Sequence, residues 1–587
     1  MFIKNLEVIK HKIMKNTNMS NLEISWVFQE MADLLEIKGE NFFKIKAYRN
    51  AAKIISKLDK PLERFVQNNT LDKIPGIGKA ISSKIKELLQ TGSCSAHKKL
   101  LEEIPKGVLE IRLIPGIGNV KARILFNELN ISSLEQLENA AQQKMIRKLP
   151  GMSAKFESDI LRHIKLLKGE SKLISIGTAR ELGTKLVVYL STIPGVTNIE
   201  LGGSIRRWKE TVSDIDIIAA TTNPQLLSEA LIKHPRTVEV LDTKRDRVRI
   251  RNWWNIEVDL SITSPDNFAA SLHRNTGSKH HYSQLQKLAE QKNMVLSNPT
   301  ITLSDGAQLN IETETDIYYA LGMQYIPPEL REGTGEIEAA VKNKLPDLIK
   351  VDDIKGDLHA HTFWSDAADS IEDMVKAAKS KGYSYIAITD HSVPLKVANG
   401  LDDKRLKMQC EEIEKLQERE KNFTILTGVE CDILSDGSLA HPDEVLSELD
   451  VVVASVHSDF KQDKKTMTER IISAIKNEHV DIIGHVTGRL LEKRIGYEVN
   501  LDKVFEAATK YNTAIEINSS HKRLDLNTEN AKKAKQAGVK VVINTDAHEI
   551  SELNDIIYGT AVARRAWLTP NDVLNTLDTE ELLRHFK

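Results

Sequence analysis

Residues 199–221 read Ile-Glu-Leu-Gly-Gly-Ser-Ile-Arg-Arg-Trp-Lys-Glu-Thr-Val-Ser-Asp-Ile-Asp-Ile-Ile-Ala-Ala-Thr. The segment Asp214-Ile215-Asp216-Ile217-Ile218 has a strand's residue preferences. A period of two puts both carboxylates on one face and both isoleucines on the other. A lone Asp-x-Asp is commonly just a solvated strand face. Here Gly203-Ser204 stands ahead of it, offering backbone and hydroxyl to phosphate oxygens, and Arg206 or Arg207 could neutralise those oxygens. A third acid, Asp259, lies in the apolar run Ile256-Glu257-Val258-Asp259-Leu260, which suits a neighbouring strand. Adjacent like charges are unfavourable unless a cation neutralises them. Three convergent carboxylates can hold two Mg2+ ions, the arrangement that serves phosphoryl transfer. The spacing predicts Asp214, Asp216 and Asp259 as the catalytic carboxylates of such a site.

Further along, apolar runs alternate with helical stretches, and several runs end in a potential ligand. Tyr385 to Ile388 leads to Asp390-His391, Ile425 to Val429 leads to Glu430, and Val451 to Val456 leads to His457. Val480 to Gly484 leads to His485, and Val541 to Thr545 leads to Asp546-Ala547-His548. The segment opens with Asp357-Leu358-His359-Ala360-His361, followed by Asp366. Functional groups gathered at strand C-termini are the habit of β/α barrels. One such histidine is more often structural than a ligand. Six histidines and three acids at matching strand ends predict metal, and mixed imidazole and carboxylate ligands suit Mn2+, Zn2+ or Fe2+.

The front end repeats a small device: Pro75-Gly76-Ile77-Gly78, Pro115-Gly116-Ile117-Gly118 and Pro150-Gly151-Met152-Ser153. Each stands between two apolar helical stretches. A glycine turn at a helix start exposes backbone N–H groups where the dipole also favours an anion. Such a hairpin grips a DNA phosphate without reading a base. A plain helix–turn–helix connection is the bland alternative, and the repetition argues against it. The third copy lacks its second glycine, so weak or no phosphate binding is expected there. The stretch Phe43-Lys44-Ile45-Lys46-Ala47-Tyr48-Arg49 is locally basic, with aromatics interleaved.

Charge divides the chain in the same way. Residues 1–170 hold 29 Lys+Arg against 19 Asp+Glu, residues 171–352 hold 21 against 23, and residues 353–587 hold 31 against 41. A basic front end suggests a polyanion. Ten of the 17 histidines lie in the acidic last 235 residues, which tilts that end toward metal. The 587 residues suggest roughly four folded units at about 150 residues each. Three cysteines make no disulfide framework and point to a reducing compartment. The apolar runs are too short to span a bilayer, and Lys4, Lys10, Lys12 and Lys15 interrupt any signal-peptide core. A cytoplasmic protein is expected, associated with the nucleoid when at work.

The span Gly203-Ser204…Arg207…Asp214-x-Asp216, with Asp259 downstream, resembles the palm of family X DNA polymerases, the polymerase beta group. The likeness continues through Thr276-Gly277-Ser278-Lys279-His280-His281 and Ala320-Leu321-Gly322…Tyr325-Ile326-Pro327-Pro328-Glu329-Leu330-Arg331-Glu332. The front end resembles that family's DNA-gripping hairpins and small lyase domain. The resemblance implies nucleotide binding by Gly203, Ser204, Arg207, Thr276 and Gly277, and DNA binding by Gly76, Gly78, Gly116 and Gly118. Lys84 falls where the family's Schiff-base lysine lies, and Lys44 and Tyr48 fall in its 5′-phosphate pocket. Arg274-Asn275 stands where members commonly carry Tyr-Phe beside the incoming sugar, so weaker exclusion of ribonucleotides is expected.

The back end resembles the polymerase and histidinol phosphatase family, PHP, whose barrels hold up to three metals. All nine ligand positions are filled: His359, His361, Asp366, His391, Glu430, His457, His485, Asp546 and His548. The family's Ser-Asp-Gly is Ser365-Asp366-Ala367 here.

Together the resemblances imply a multidomain chain: an extension over 1–20, a helical lyase-like domain over 21–94 and helix-hairpin-helix fingers over 95–170. An α/β nucleotidyltransferase palm then covers 171–262, a small thumb 263–332, a linker 333–352 and a distorted β/α PHP barrel 353–587. The implied function is short-gap filling in DNA repair with Mg2+ or Mn2+ in the palm, plus a PHP 3′-5′ exonuclease and abasic-site endonuclease. The implied partners are gapped or nicked duplex DNA and dNTPs, with the protein a monomer and no membrane. A second reading is a DNA-bound metal phosphoesterase whose polymerase half only binds.

Overall fold

Apolar residues at helical spacing build the front of the chain, as in helix Asn21–Lys38, which buries Ile24, Phe28, Met31 and Leu35 along one stripe. In the computed structural model the described residues are 19–586 without 20, 57, 59, 69, 113, 115, 168–172, 298–299, 394–397 and 492–493. The extension expected over 1–20, Met19 apart, and Pro115 of the second hairpin lie outside the described residues. Short helices joined by tight turns continue to Ala154–Leu167.

Five strands follow: β1 (Val196–Leu201), β2 (Asp214–Thr221), β3 (Thr237–Lys244), β4 (Arg247–Asn252) and β5 (Glu257–Thr263). They form one sheet in the order β1-β2-β5-β4-β3. Only β2 and β5 run parallel, and their register sets Asp216 opposite Asp259 and Asp214 opposite Glu257. The alternation expected of β2 is present, with Ile215 and Ile217 buried and Asp214 and Asp216 half-buried.

Helices Phe268–Arg274, Lys279–Gln291, Glu314–Ala320 and Glu336–Val341 share a smaller core. The segment 333–352, expected as a linker, is folded. Ile337, Ala340 and Leu348 belong to that smaller core, and Glu336 is buried at 2.6 Å from His281 Nδ1. Its apolar residues and its buried carboxylate have partners, which an open tether would lack.

The back end is a ring of parallel strands: β6 (Gly356–Ala360), β7 (Tyr385–Ile388), β8 (Thr424–Asp432), β9 (Val451–Ser455), β10 (Ile482–Ile483), β11 (Ala514–Asn518) and β12 (Val541–Asn544). They pair in sequence order. First and last strands meet just beyond their ends, where Asp546 N donates to His359 O at 2.9 Å and His361 N to Ala547 O at 2.9 Å. Both faces of these strands are buried, which explains their continuous apolar runs. Among the described residues no helix is long and apolar enough to cross a membrane.

Candidate functional site

The three hairpins are copies of one turn. Ile77 N donates to Ile74 O, Ile117 N to Ile114 O and Met152 N to Leu149 O, at 3.0, 2.8 and 3.1 Å. In each, the central apolar residue is buried and the preceding glycine has positive φ: +88° at Gly76, +82° at Gly116 and +70° at Gly151. Gly78 and Gly118 then start helices Lys79–Thr91 and Asn119–Leu129 with no side chain capping the N–H groups. The third copy differs in chemistry. Ser153 Oγ accepts from Phe156 N at 3.1 Å and so occupies a helix-start donor that a phosphate would need.

A side chain at a left-handed position costs about 1–2 kcal/mol. Gly76→Ala and Gly116→Ala are each expected to weaken gapped-duplex binding by up to about tenfold, whereas Ser153→Ala leaves it unchanged. Fluorescence anisotropy at fixed salt measures both. Equal affinities for all three variants would remove the hairpins from the DNA interface.

Lys84, half-buried, places Nζ 5.8 Å from the Tyr48 ring centroid and 3.2 Å from Ala80 O. Lys44 instead pairs with Glu40 at 3.1 Å on the surface. Two members of the expected lyase pocket are therefore adjacent, and the third is turned to a carboxylate.

In the sheet, Asp214, Asp216, Gly203, Ser204, Arg207, Lys209, Arg274, Asn275, Gly277 and Lys279 line one open cleft of about 450 Å3. Gly203 packs so closely beneath the carboxylates that a Cβ there would meet Asp216 Oδ2 at 1.7 Å, and its φ of +53° also favours glycine. Burial first, then the Asp214 and Asp259 charges, pushes the Asp216 carboxyl up to about 7. A cation would relieve both causes, so these residues fit divalent metal. Asp259 is meanwhile held by Arg247, whose Nε donates to its Oδ1 at 2.8 Å. The repeated arginines at 247, 249 and 251 of β4 were the visible signal for that contact.

The two candidate arginines part company. Arg206 turns away from the cleft, bidentate to Glu314 at 2.8 and 2.7 Å and donating to Thr276 Oγ1 at 2.8 Å. Arg207 lines the cleft, with Nε on Glu332 at 3.0 Å and Nη1 on Thr276 O at 2.7 Å. Thr276 itself is fully buried under the cleft, and Gly277 lies in its wall. At the departure from Tyr-Phe, the Arg274 guanidinium stacks on the Tyr282 ring at 4.2 Å, while the Asn275 amide donates back to Ser271 O at 2.8 Å.

At the barrel's C-terminal mouth all nine expected residues come together. Glu430 is the hub. Its Oε1 lies 3.0 Å from His485 Nε2, 3.3 Å from His457 Nε2 and 3.4 Å from His359 Nε2, and its Oε2 lies 2.8 Å from His391 Nδ1 and 3.6 Å from His361 Nε2. Asp546 Oδ1 is 3.1 Å from His361 Nε2, and Asp366 Oδ1 is 3.6 and 3.4 Å from the Nε2 atoms of His391 and His548. Ligand atoms cluster as His361, Asp366, His391 and His548; as His359, His361 and Asp546; and as His391, Glu430 and His457. These three groups could each hold one cation. Burial opposes ionisation of Glu430, yet His457, His359 and His391 hold its carboxyl well below the usual range.

Several of these atoms, His359 Nε2, both nitrogens of His361, His391 Nδ1 and Glu430 Oε2, are buried without a properly directed hydrogen bond. Such a cost is sustained where a ligand satisfies the atoms. Two of the nine have strained backbone, His485 at φ +24° and Asp546 at φ +54°, as is common where function fixes a side chain.

Carboxylates outside the nine orient the rings. Glu516 accepts from His359 Nδ1 at 2.7 Å and from His485 N at 2.8 Å, and Asp432 lies 2.9 Å from His457 Nδ1. Each leaves the far ring nitrogen free to bind a cation. Sequence reasoning passed over both, although Glu516 interrupts an apolar strand in the way the expected ligands do.

Family models match four stretches of the chain. A family model of a helix-hairpin-helix domain matches residues 19–94, and one of a SAM-like helix-hairpin-helix tandem matches 108–165. The DNA polymerase beta thumb matches 271–332, and the PHP domain matches 357–520. The DNA polymerase/3′-5′ exonuclease PolX of Bacillus subtilis (strain 168) is 38% identical over 567 residues, 96% of this chain and 99% of that protein. A probable phosphatase of Thermoanaerobacter sp. (strain X514) is 35% identical over 231 residues, 38% of this chain and 89% of that protein. Another, from Caldanaerobacter subterraneus, is 35% identical over 203 residues, 33% of this chain and 75% of its own length.

Proposed function

The chain belongs to the family of the bacterial DNA polymerase/3′-5′ exonuclease PolX, and from that premise we propose that it extends 3′ ends across short gaps in duplex DNA at the cleft and removes nucleotides from 3′ ends at the barrel mouth. The observation that carries this reading is that both ligand sets are whole in one chain. Three carboxylates crowd on β2 and β5; eight residues form the three candidate cation groups at the barrel mouth, and His485 joins them through Glu430. A front half that only bound DNA would have no use for three carboxylates crowded at a cleft, one of them pushed up by burial and by the other two.

In this reading Asp214, Asp216 and Asp259 hold two Mg2+ or Mn2+ ions. Bound divalent ions would neutralise developing charge in the cleft and activate water at the barrel. The chain's own residues do the rest. Gly203 and Ser204 present backbone and hydroxyl to the triphosphate, and Arg207 meets its charge from the cleft wall. Arg247 must give up Asp259 when a cation arrives. At the barrel, Glu516 and Asp432 fix the His359 and His457 rings so that up to three Mn2+, Zn2+ or Fe2+ ions find their ligands preset. The hairpins grip backbone phosphates of gapped or nicked duplex. The Lys84–Tyr48 contact supports a lyase step, which borohydride trapping on a 5′-deoxyribose phosphate end would read as a covalent adduct. Cutting at abasic sites belongs to the same barrel chemistry.

The test is a gapped duplex with Mg2+ or Mn2+, with and without dNTPs. Extension with dNTPs and shortening without them is the expected pair. Shortening alone would favour the phosphoesterase reading.

Sugar choice gives a further expected result. Arg274 lies against Tyr282 and so presents a cationic edge to the cleft rather than an aromatic wall. Arg274→Tyr/Asn275→Phe should raise the preference for dNTP over rNTP by about tenfold, the scale of a small steric discrimination. Identical preferences in wild type and variant would place sugar selection elsewhere.

A further inference from the structure

Arg207, in the cleft wall, shares a carboxylate with an arginine from outside the polymerase half. Helix Ile556–Arg565 of the barrel domain ends against the cleft's rear wall. Arg565 Nη1 donates to Arg207 O at 2.5 Å and to Glu332 Oε1 at 3.1 Å. The same Glu332 oxygen accepts from Arg207 Nε at 3.0 Å. One carboxylate oxygen is thus shared by an arginine of the cleft and an arginine of the barrel. These side chains are only 11%, 10% and 20% exposed for Arg207, Arg565 and Glu332, so water screens the contact little. Burial alone would raise the Glu332 carboxyl, but Arg207 and then Arg565 hold it below the usual range. Arg564 fastens the neighbouring turn, with Nε on Glu329 at 2.7 Å.

A second, independent feature lies one residue on. Trp208 has φ +55°, a conformation a bulky side chain holds only when its surroundings impose it. The surroundings are Arg180, stacked on the indole at 3.8 Å, and Tyr558 of the same barrel helix, edge-on at 5.9 Å. The strained turn that carries Arg207 into the cleft is therefore clamped at its carbonyl by Arg565 and at its next side chain by Tyr558.

We propose that Arg565 is a positioning residue for nucleotide addition: through the Arg207 carbonyl and the shared Glu332 carboxylate, the barrel domain sets the guanidinium that meets the triphosphate. This rests on the polymerase reading above. The nuclease domain then has a structural part in the polymerase site, separate from its own chemistry.

The test uses the full chain as wild type, Arg565→Ala, Arg565→Lys, Arg207→Ala and the Arg207→Ala/Arg565→Ala double variant. Steady-state dNTP addition, equilibrium dNTP binding and 3′-end shortening are measured on each preparation. Arg565→Ala should raise KM for dNTP about tenfold, the effect of one lost charge-assisted hydrogen bond, with kcat within about threefold and shortening unchanged. Arg565→Lys keeps a cationic donor and should recover much of the loss. In the Arg207→Ala background the second substitution should add nothing, as expected of coupled residues. An unchanged KM, a loss shared equally by the nuclease, or a full additive loss in the double variant would each overturn the proposal. A wild type that binds dNTP but never adds it would sink the polymerase reading instead, and the clasp is then decided by whether Arg565→Ala weakens dNTP binding.

Discussion

Replacing Asp214 and Asp216 together with alanine is expected to lower nucleotide addition on a gapped duplex by at least about a thousandfold, ~4 kcal/mol of barrier. Shortening of 3′ ends in Mn2+ should continue at the wild-type rate. The two sites share no ligand. One sits on β2 and β5 of the middle sheet, the other at strand ends of the barrel. The fold should survive the change. A carboxyl pushed up to about 7 is less ionised in the folded than in the unfolded protein. Its ionisation therefore opposes folding, an effect absent below the ordinary carboxylate range near ~4 and complete above about 7. In EDTA at pH 8 the double variant should accordingly melt no lower than wild type. Unchanged gap filling would sink the assignment, and a much lower melting temperature would reassign the two aspartates to folding.

Local periodicity made much of this legible. In β2 the two-residue repeat alone predicted which face carries Asp214 and Asp216, because strand geometry is local. The partnership of Asp216 with Asp259 depended on a parallel register across 43 positions, and only the apolar run around Asp259 hinted at it. The hairpin repeat was visible in the same way, and Ser153 shows why its third copy departs: the hydroxyl caps the helix that the other two leave open. The barrel announced itself because most of the expected ligands close an apolar run, and burial on both faces permits no other polar residue there without a reason.

What stayed hidden is pairing between distant segments. Arg564 and Arg565 read as ordinary basic residues in a helix's last turn, where solvated cations are favoured. Their partners, Glu329, Glu332 and the Arg207 carbonyl, lie more than two hundred residues upstream, and no local pattern encodes that contact. Arg206 and Arg207 were likewise inseparable in sequence. Glu314 draws Arg206 away from the cleft, and Glu332 leaves Arg207 in the cleft wall. Glu516 and Asp432 escaped for a different reason. Their role is to orient histidines, so each shows only as an acid in a strand until the ring beside it is placed.

Replacing His359 and His361 with alanine is expected to abolish 3′-end shortening, by at least about a thousandfold, and to lower the bound-metal content of the purified protein by at least one ion. His361 belongs to two of the three ligand groups and His359 to one, so the pair touches two cation positions directly. The effect should spread further. Glu430 has five imidazoles around it, and removing two leaves a buried carboxylate with less compensation. Glu516 loses the ring it orients and keeps only the His485 amide and nearby asparagine donors. Nucleotide addition should survive, since Asp214, Asp216 and Asp259 lie on another sheet and the Arg565 clasp sits on a helix remote in sequence from the altered strand. Elemental analysis of the variant decides independently of either assay. A protein that retains its full metal content and shortens DNA at the wild-type rate would show that the barrel histidines hold no catalytic ion. A protein that loses metal and addition together would show that the two halves are coupled far more tightly than the Arg565 clasp accounts for.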